Sequence, residues 1–291
     1  MRPLKYVHHY GTFSDFCNIV KKNTLCYYTL MIGFFIKKAF YDGWDNLFQL
    51  LILNLFIIGI GIGGYYLASL TAGIVPLSIS ILIIAAVLEG IILTAVSIVM
   101  ARVSNYKAGT IREFFAAVKE TWKDGILYAL VIAGAVIILS VAIPYYLRLG
   151  SFLGYTLAML IFWVAVILVL AFQWFLPIRS QLDKKFSKCL RKCFIIFFDN
   201  PGFSVFMFLY SAILLAISFF VVFLIPGFAG IILAQNEAFR LRMYKYDWIE
   251  QHPEIEFKKA RKQIPWTELL EEDDETTGHR TWRSFIFPWK D

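Results

Sequence analysis

Residues 77–101 read LSISILIIAAVLEGIILTAVSIVMA, and this stretch decides the class of fold. Its only charged side chain is Glu89. A helix rises about 1.5 Å per residue, so a run of this length crosses a hydrocarbon core of roughly 30 Å. The stretch therefore predicts a membrane-spanning helix.

Further apolar runs lie on both sides of this stretch. Of the 291 residues, 59% are hydrophobic and 17% are charged, whereas a soluble domain is about half apolar and about a quarter charged. This composition excludes a disordered chain and a typical soluble enzyme. A shorter run at 228–244 predicts a sixth, partly amphipathic helix. We expect an all-α polytopic membrane protein with five to six transmembrane helices, the other full spans lying at 47–70, 125–147, 152–177 and 203–225.

Lys and Arg accumulate on one side of the predicted spans. Residues 1–46 contain six of them, the connection 102–124 five and the connection 178–202 six, whereas the turns 71–76 and 148–151 contain none and one. Because cytoplasmic loops are enriched in Lys and Arg, we expect the N-terminus and both connections in the cytoplasm. Five spans would leave the tail outside. The basic residues that follow the sixth run favour its return to the cytoplasm.

This pattern divides the chain into an N-terminal interfacial segment at 1–46, a transmembrane domain at 47–245 and a soluble tail at 246–291. Apolar residues recur at helical spacing in 108–122, with charges on the opposite face. A similar basic stretch follows in the second connection. Both predict amphipathic helices at the cytoplasmic interface. We interpret the acidic run 271–275 of the tail as solvated, and its aromatic, basic end as a docking segment.

Glu89 is the most informative residue for function. A charged carboxylate in the middle of a span costs roughly 2.5–3.5 kcal/mol, so something must offset that cost. One interpretation is an intramembrane polar site that serves a proton, a cation or a polar substrate. The other is a neutral, structural Glu that hydrogen-bonds to a neighbouring helix, with Asn54 and Gln173 as candidate partners.

Two further features have a functional and a structural interpretation. The run 59–64, GIGIGG, matches the dinucleotide-binding pattern in letters only, because it lies inside a span rather than between a strand and a helix. We expect Gly59 and Gly63 to serve close helix packing instead.

The second connection carries basic residues that are candidate contacts to lipid headgroups. The retention of basic loops on the cytoplasmic side of the membrane explains the same charges. These basic residues are Lys184, Lys185, Lys188, Arg191 and Lys192.

The sequence contains no catalytic constellation. The Gly-x-Ser-x-Gly, His-Glu-x-x-His and Walker patterns are absent. The histidines and cysteines of the first 26 residues fit no zinc knuckle, and we interpret Cys189 and Cys193 as membrane-proximal thiols. We therefore expect no enzymatic activity, no cofactor and no metal site. Because the basic residues flank apolar spans, we also expect no nucleic-acid partner.

Two stretches carry a family resemblance: EGIILTAVSIVMARVSNYKAGTIREFFAAVKETWKDGILYAL, at 89–130, and FQWFLPIRSQLDKKFSKCLRKCFIIFFDNPGFSVFMFL, at 172–209. The first has a basic exit from a span and an aromatic amphipathic helix. The second has a span ending in Phe-Leu-Pro, a basic helix and Asn-Pro before the next span. Over residues 35–245 the chain resembles the YesL-like family of bacterial integral membrane proteins, a domain of unknown function. The N-terminal extension and the long tail depart from that family.

The resemblance implies a location in the bacterial cytoplasmic membrane and an accessory role in carbohydrate transport, and it names no active residue. We therefore expect a non-enzymatic accessory or scaffold protein that contacts the lipid bilayer, with transporter subunits as candidate partners. The alternative is a small permease or channel with a polar path from Asn54 past Glu89. A second alternative is a lipid-modifying membrane enzyme, which would need His, Asp or Arg clustered at one interface.

Overall fold

The computed structural model describes residues 24–253 and 264–277, and within them every regular element is a helix. His8, His9 and Cys17, the side chain of Cys26 and the aromatic end of the tail lie outside this description. In chain order the helices are α1 Thr24–Asp45, α2 Leu47–Leu70, α3 Val75–Ser104, α4 Ile111–Arg148, α5 Phe152–Phe172, α6 Phe175–Gln181, α7 Phe186–Asp199, α8 Pro201–Phe220, α9 Gly227–Gln251, α10 Trp266–Leu269 and α11 Glu271–Thr277.

The chain is an all-α polytopic membrane protein. Five segments of the described residues are long and apolar enough to cross a membrane: α2, α3, α4, α5 together with α6, and α8. Helices suit this environment because they satisfy every backbone hydrogen bond within one segment, where no water is available. The amphipathic stretch predicted at 108–122 is not a separate helix. It forms the first turns of α4 and continues into the span without a break.

The helices α2, α3 and α4 pack as antiparallel neighbours in chain order. The contact between α3 and α4 is close because Gly90 and Gly125 face each other, and a Cβ atom on Gly90 would lie 2.5 Å from the carbonyl oxygen of Gly125. The start of α4 is fixed by a capping box, in which Thr110 and Glu113 each accept a hydrogen bond from the other's backbone N–H. Small residues at the crossing let the two backbones approach, as is usual in membrane bundles.

Gly125 provides a test of this crossing. Gly125→Ala is expected to lower the free energy of unfolding by about 1–3 kcal/mol, because its methyl group would press on the α3 backbone 2.5 Å away at Ile91. The matched control is Gly134→Ala, which lies further along α4 and has no atom of the described chain within 4 Å of the new methyl group. SDS titration of both variants measures the difference. Equal destabilisation would show that the two backbones are not in close contact.

The chain divides into two compact units, Met1–Tyr41 with Arg240–Asp291, and Asp42–Phe239. The first unit therefore combines parts of the N-terminal and C-terminal segments. Within it, Asp273 is 3% exposed and accepts a 2.7 Å bond from Arg240 and a 3.0 Å bond from the Tyr244 hydroxyl. Lys37 pairs with Asp274 at 2.7 Å. The expectation that the acidic run is solvated is thus wrong for Asp273, because α11 folds back and places it against Arg240, whereas the Asp274 side chain remains 47% exposed.

In the second unit, the connection end of the bundle is the end at which α2 begins, α3 ends, α4 begins and α5 ends. Both ends of α8 are tied to this end. Ser204, near its start, bonds to Gln173 and Trp174 at the end of α5. The turn that follows α8 bonds to Asn54, in the first third of α2. The residues at the start of α8 and those that follow its end therefore contact the same end of the bundle, although a helix of 20 residues is about 30 Å long.

Candidate functional site

Asn54 clamps the irregular turn between α8 and α9. Its side chain is fully buried, and its Nδ2 donates to the carbonyl oxygens of Leu224 at 2.9 Å and Pro226 at 2.8 Å. Its Oδ1 accepts the backbone N–H of Ala229 at 2.8 Å. One amide thus satisfies three backbone groups of a non-helical segment, which is how such a segment is tolerated inside a membrane protein.

The backbone of this turn needs external partners. Val222 and Phe223 adopt φ values of 52° and 58°, which few side chains favour, and Gly227 adopts 62°. Glycine is required at position 227 for a second reason, because any side chain there would overlap the Asn54 amide. Ser218 completes the clamp by accepting the N–H of Gly227 at 2.9 Å. The turn is therefore fixed from both α2 and α8.

Glu89 lies midway along α3 and faces α2. Its Oε1 lies where a side chain on Gly61 would begin, since a Cβ atom there would be 3.1 Å from it. Its Oε2 is buried and has no hydrogen-bond partner among the described residues. The glycine thus makes room for a carboxyl group within the span. That leaves one oxygen available to a proton or a ligand.

Asn54 and Gln173 are not the partners of Glu89. The amide of Asn54 bonds to the turn after α8. The Nε2 of Gln173 donates to the carbonyl oxygens of Leu170 at 2.9 Å and Ser204 at 2.8 Å. Trp174 adds a 2.9 Å bond to the Ser204 hydroxyl. The two amides predicted to serve Glu89 instead fasten the two ends of α8. The expected polar path from Asn54 past Glu89 gains no support from these contacts.

The expected packing through Gly59 and Gly63 is also wrong. A Cβ atom added at either position would have no atom of a neighbouring helix in the described chain within 4 Å, so neither glycine makes a close contact with those helices. The close contact is made by Gly64, which lies directly against Ala85 of α3. The spacing indicates a helix face but does not identify which face, because the rotation of α2 about its axis is set by the tertiary packing.

A buried polar network joins α3, α6 and α9 at the connection end. The Asn236 Oδ1 accepts bonds from Ser180 at 2.9 Å and Gln181 at 2.8 Å, and its Nδ2 donates to Ser97 at 3.3 Å. Ser97 and Ser180 lie 3.2 Å apart through their hydroxyls. The sequence does not single out these residues, since Ser and Asn near the ends of apolar runs are common and only their contacts distinguish them. The network fixes the first half of α9 to the spans.

A buried ion pair joins α4 to α6 beside this network. The Arg179 side chain is 6% exposed, and its Nε and Nη2 lie 2.8 and 2.7 Å from Oδ2 of Asp124, which is 17% exposed. The pair holds the short helix α6 against the start of the third span. In the sequence Arg179 is only one of several charges in a connection. Nothing there marks Asp124 as its partner, because the two residues lie 55 positions apart.

The five basic residues predicted to contact lipid headgroups divide into two groups. Lys184 pairs with Glu120 at 2.8 Å and Lys192 with Asp183 at 3.1 Å. Lys185, Lys188 and Arg191 are exposed. The backbone N–H of Lys185, followed by the ammonium group of Lys192, holds the pKa of Asp183 below its usual range. This carboxylate therefore stays charged and neutralises part of the basic cluster.

The two cysteines of α7 lie on its buried face, opposite its exposed basic residues. Cys189 and Cys193 are both free thiols and are almost fully buried. Burial raises the pKa of Cys189 to about 11 and also raises the pKa of Cys193. Because the thiolate is the reactive species, both side chains are expected to be inert and to serve packing.

Comparison of the chain with models of protein families, with curated proteins and with solved structures finds no match. The resemblance to the YesL-like family therefore stays a prediction.

Proposed function

We propose that this protein is a non-enzymatic accessory or scaffold protein of the bacterial cytoplasmic membrane. The observation that carries the proposal is that buried polar contacts hold several helices together at the connection end of the bundle. The Asn54 clamp, the Asn236 network and the Arg179–Asp124 pair fix α6, α8 and α9 to the spans. Buried polar groups that hold helices in one arrangement suit a fixed platform. The resemblance to the YesL-like family supports a transport system, with its subunits as candidate partners.

The first unit offers a surface for such a partner. In this unit the tail folds back onto the N-terminal helix through the pairs Lys37–Asp274 and Arg240–Asp273. These contacts favour a tail on the same side of the membrane as the N-terminus. The charge distribution of the sequence favours the cytoplasm for that side. An α8 that starts and finishes at the connection end also favours this arrangement, because it returns the chain without a further crossing.

Affinity purification from native membranes tests the accessory role. We expect tagged wild-type protein to recover membrane-transport subunits, and Asp273→Asn to reduce that recovery several-fold by releasing α11 from Arg240. Glu275→Gln is the matched control, since Glu275 is exposed on the same helix. Limited proteolysis of the tail checks that α11 is released. Purification of the wild-type protein without a stoichiometric partner would contradict the proposal.

Accessibility of introduced cysteines tests the topology. In a background without Cys17 and Cys26, single cysteines at Lys188 and Glu275 are expected to react with a membrane-impermeant maleimide only after the cell is opened. A cysteine at Ser151, in the turn between α4 and α5, is expected to react in intact cells. Reaction at Glu275 in intact cells would place the tail outside and overturn the proposed arrangement of α8.

The second candidate function is a small permease or channel, which is favoured by the Oε2 of Glu89, an atom with no hydrogen-bond partner in the described part of the chain. Glu89→Gln keeps the shape of the side chain and removes its charge and its exchangeable proton. If Glu89 serves a coupled ion, this variant abolishes flux in proteoliposomes while the fold remains intact. Equal flux for the variant and the wild type would exclude this role for Glu89.

A further inference from the structure

A pocket of about 410 Å³ opens at the connection end, where the apolar run of α3 gives way to Arg102. It lies at the end of the α3 span, and none of the five basic residues predicted to bind headgroups lines it. Its walls come from the end of α3, the loop after it and the end of α6. The lining residues are Ile98, Ala101, Arg102, Asn105, Lys107, Ser180 and Gln181.

The pocket has an excess of one positive charge. Arg102 forms an ion pair with Glu113 and donates from Nε to the carbonyl oxygen of Ala108 at 3.3 Å. Lys107 is exposed, and no residue in the described part of the chain forms an ion pair with it. Two cations and one carboxylate therefore leave a single positive charge, held by Lys107. A phosphodiester carries the single negative charge that matches it.

The polar side chains that line the pocket beside Lys107 have acceptors available. The Nε2 of Gln181 is committed to Asn236, and the Nδ2 of Asn105 donates to the carbonyl oxygen of Ala101 at 2.6 Å. The remaining group of each side chain is its carbonyl oxygen, which accepts hydrogen bonds from hydroxyl groups. A ligand with a phosphate and neighbouring hydroxyls would use both parts of the pocket.

We infer that this pocket binds a phosphate ester that carries hydroxyl groups, supplied by the headgroup of an anionic phospholipid such as phosphatidylglycerol. The position of the pocket at the end of the α3 span favours a lipid over a soluble ester. Ile98 and Ala101 continue the apolar surface of α3 into the pocket, so the acyl chains stay in the hydrocarbon while the phosphate reaches Lys107. Lipid binding at this pocket requires neither the accessory role nor Glu89.

Native mass spectrometry of the purified full-length protein tests the site. Wild-type protein is expected to retain phosphatidylglycerol in preference to phosphatidylcholine. Lys107→Gln is expected to weaken that preference about tenfold, the effect of losing one hydrogen bond to a charged group, whereas Lys107→Arg retains it. The matched control is Lys119→Gln, which removes an exposed lysine of α4 outside the pocket and should leave binding unchanged.

Competition with millimolar glycerol phosphate distinguishes the two sources of the phosphate. Failure to displace the lipid supports the lipid headgroup as the ligand. If glycerol phosphate displaces the lipid from wild-type protein and does not bind to Lys107→Gln, the result supports a phosphate site and overturns the lipid as its occupant. Equal lipid preference in wild-type protein, Lys107→Gln and Lys119→Gln overturns the site itself.

Discussion

Asn54→Leu is expected to lower the free energy of unfolding by at least about 3 kcal/mol, since it leaves three buried polar groups without a partner and each costs about 1–3 kcal/mol. Leucine has nearly the shape of asparagine but leaves the carbonyl oxygens of Leu224 and Pro226 and the N–H of Ala229 unsatisfied. The position is fully buried, so water cannot replace the amide. SDS titration of the purified protein measures the loss.

The control for this prediction is Ser80→Ala. Ser80 is also in a span, but its hydroxyl is exposed and bonds only to the carbonyl oxygen of Pro76 in its own helix. Its loss is expected to change stability by less than about 0.5 kcal/mol. If Asn54→Leu were as mild as this control, the turn between α8 and α9 would not depend on α2. The position of both ends of α8 would then lose its main support.

Arg179→Met is expected to cost about 3 kcal/mol, the lower end of the range for breaking a buried pair, because it leaves the largely buried Asp124 carboxylate without its partner. Replacing both residues, as Arg179→Met with Asp124→Leu, is expected to recover much of that loss, since the buried charge is then absent as well. A double-mutant cycle of unfolding free energies, measured by SDS titration, gives the coupling between the two side chains.

The exposed pair of Lys184 and Glu120 provides the comparison, because it joins the same region of the chain to α4. Its lysine side chain is 81% exposed, and solvent screens pairs of this kind. Lys184→Gln is therefore expected to leave the unfolding transition nearly unchanged. A coupling between Arg179 and Asp124 as small as that of the exposed pair would contradict their role in fixing α6.

The sequence predicted that Asn54, Gln173 and Glu89 matter, but not how. Each is a polar residue in an apolar run, and the cost of burying it makes it noticeable. The partners of Asn54 and Gln173 are backbone groups, including carbonyl oxygens 170 and 31 residues away. Every residue carries such groups, so no pattern of side chains could have indicated them. The contacts of the tail were harder still to predict from the sequence, because the pairing of Asp273 with Arg240 requires α11 to fold back.

The sequence by itself determined that the chain is helical and spans a membrane, because long apolar runs have no other way to satisfy their backbone in lipid. It also located the cationic connections, since charges avoid the hydrocarbon. Only the tertiary structure decided which face of each helix is buried, where α8 ends and which polar groups meet. Those features depend on the rotation and packing of helices that are distant in sequence. The amino-acid pattern of any one segment leaves that arrangement open.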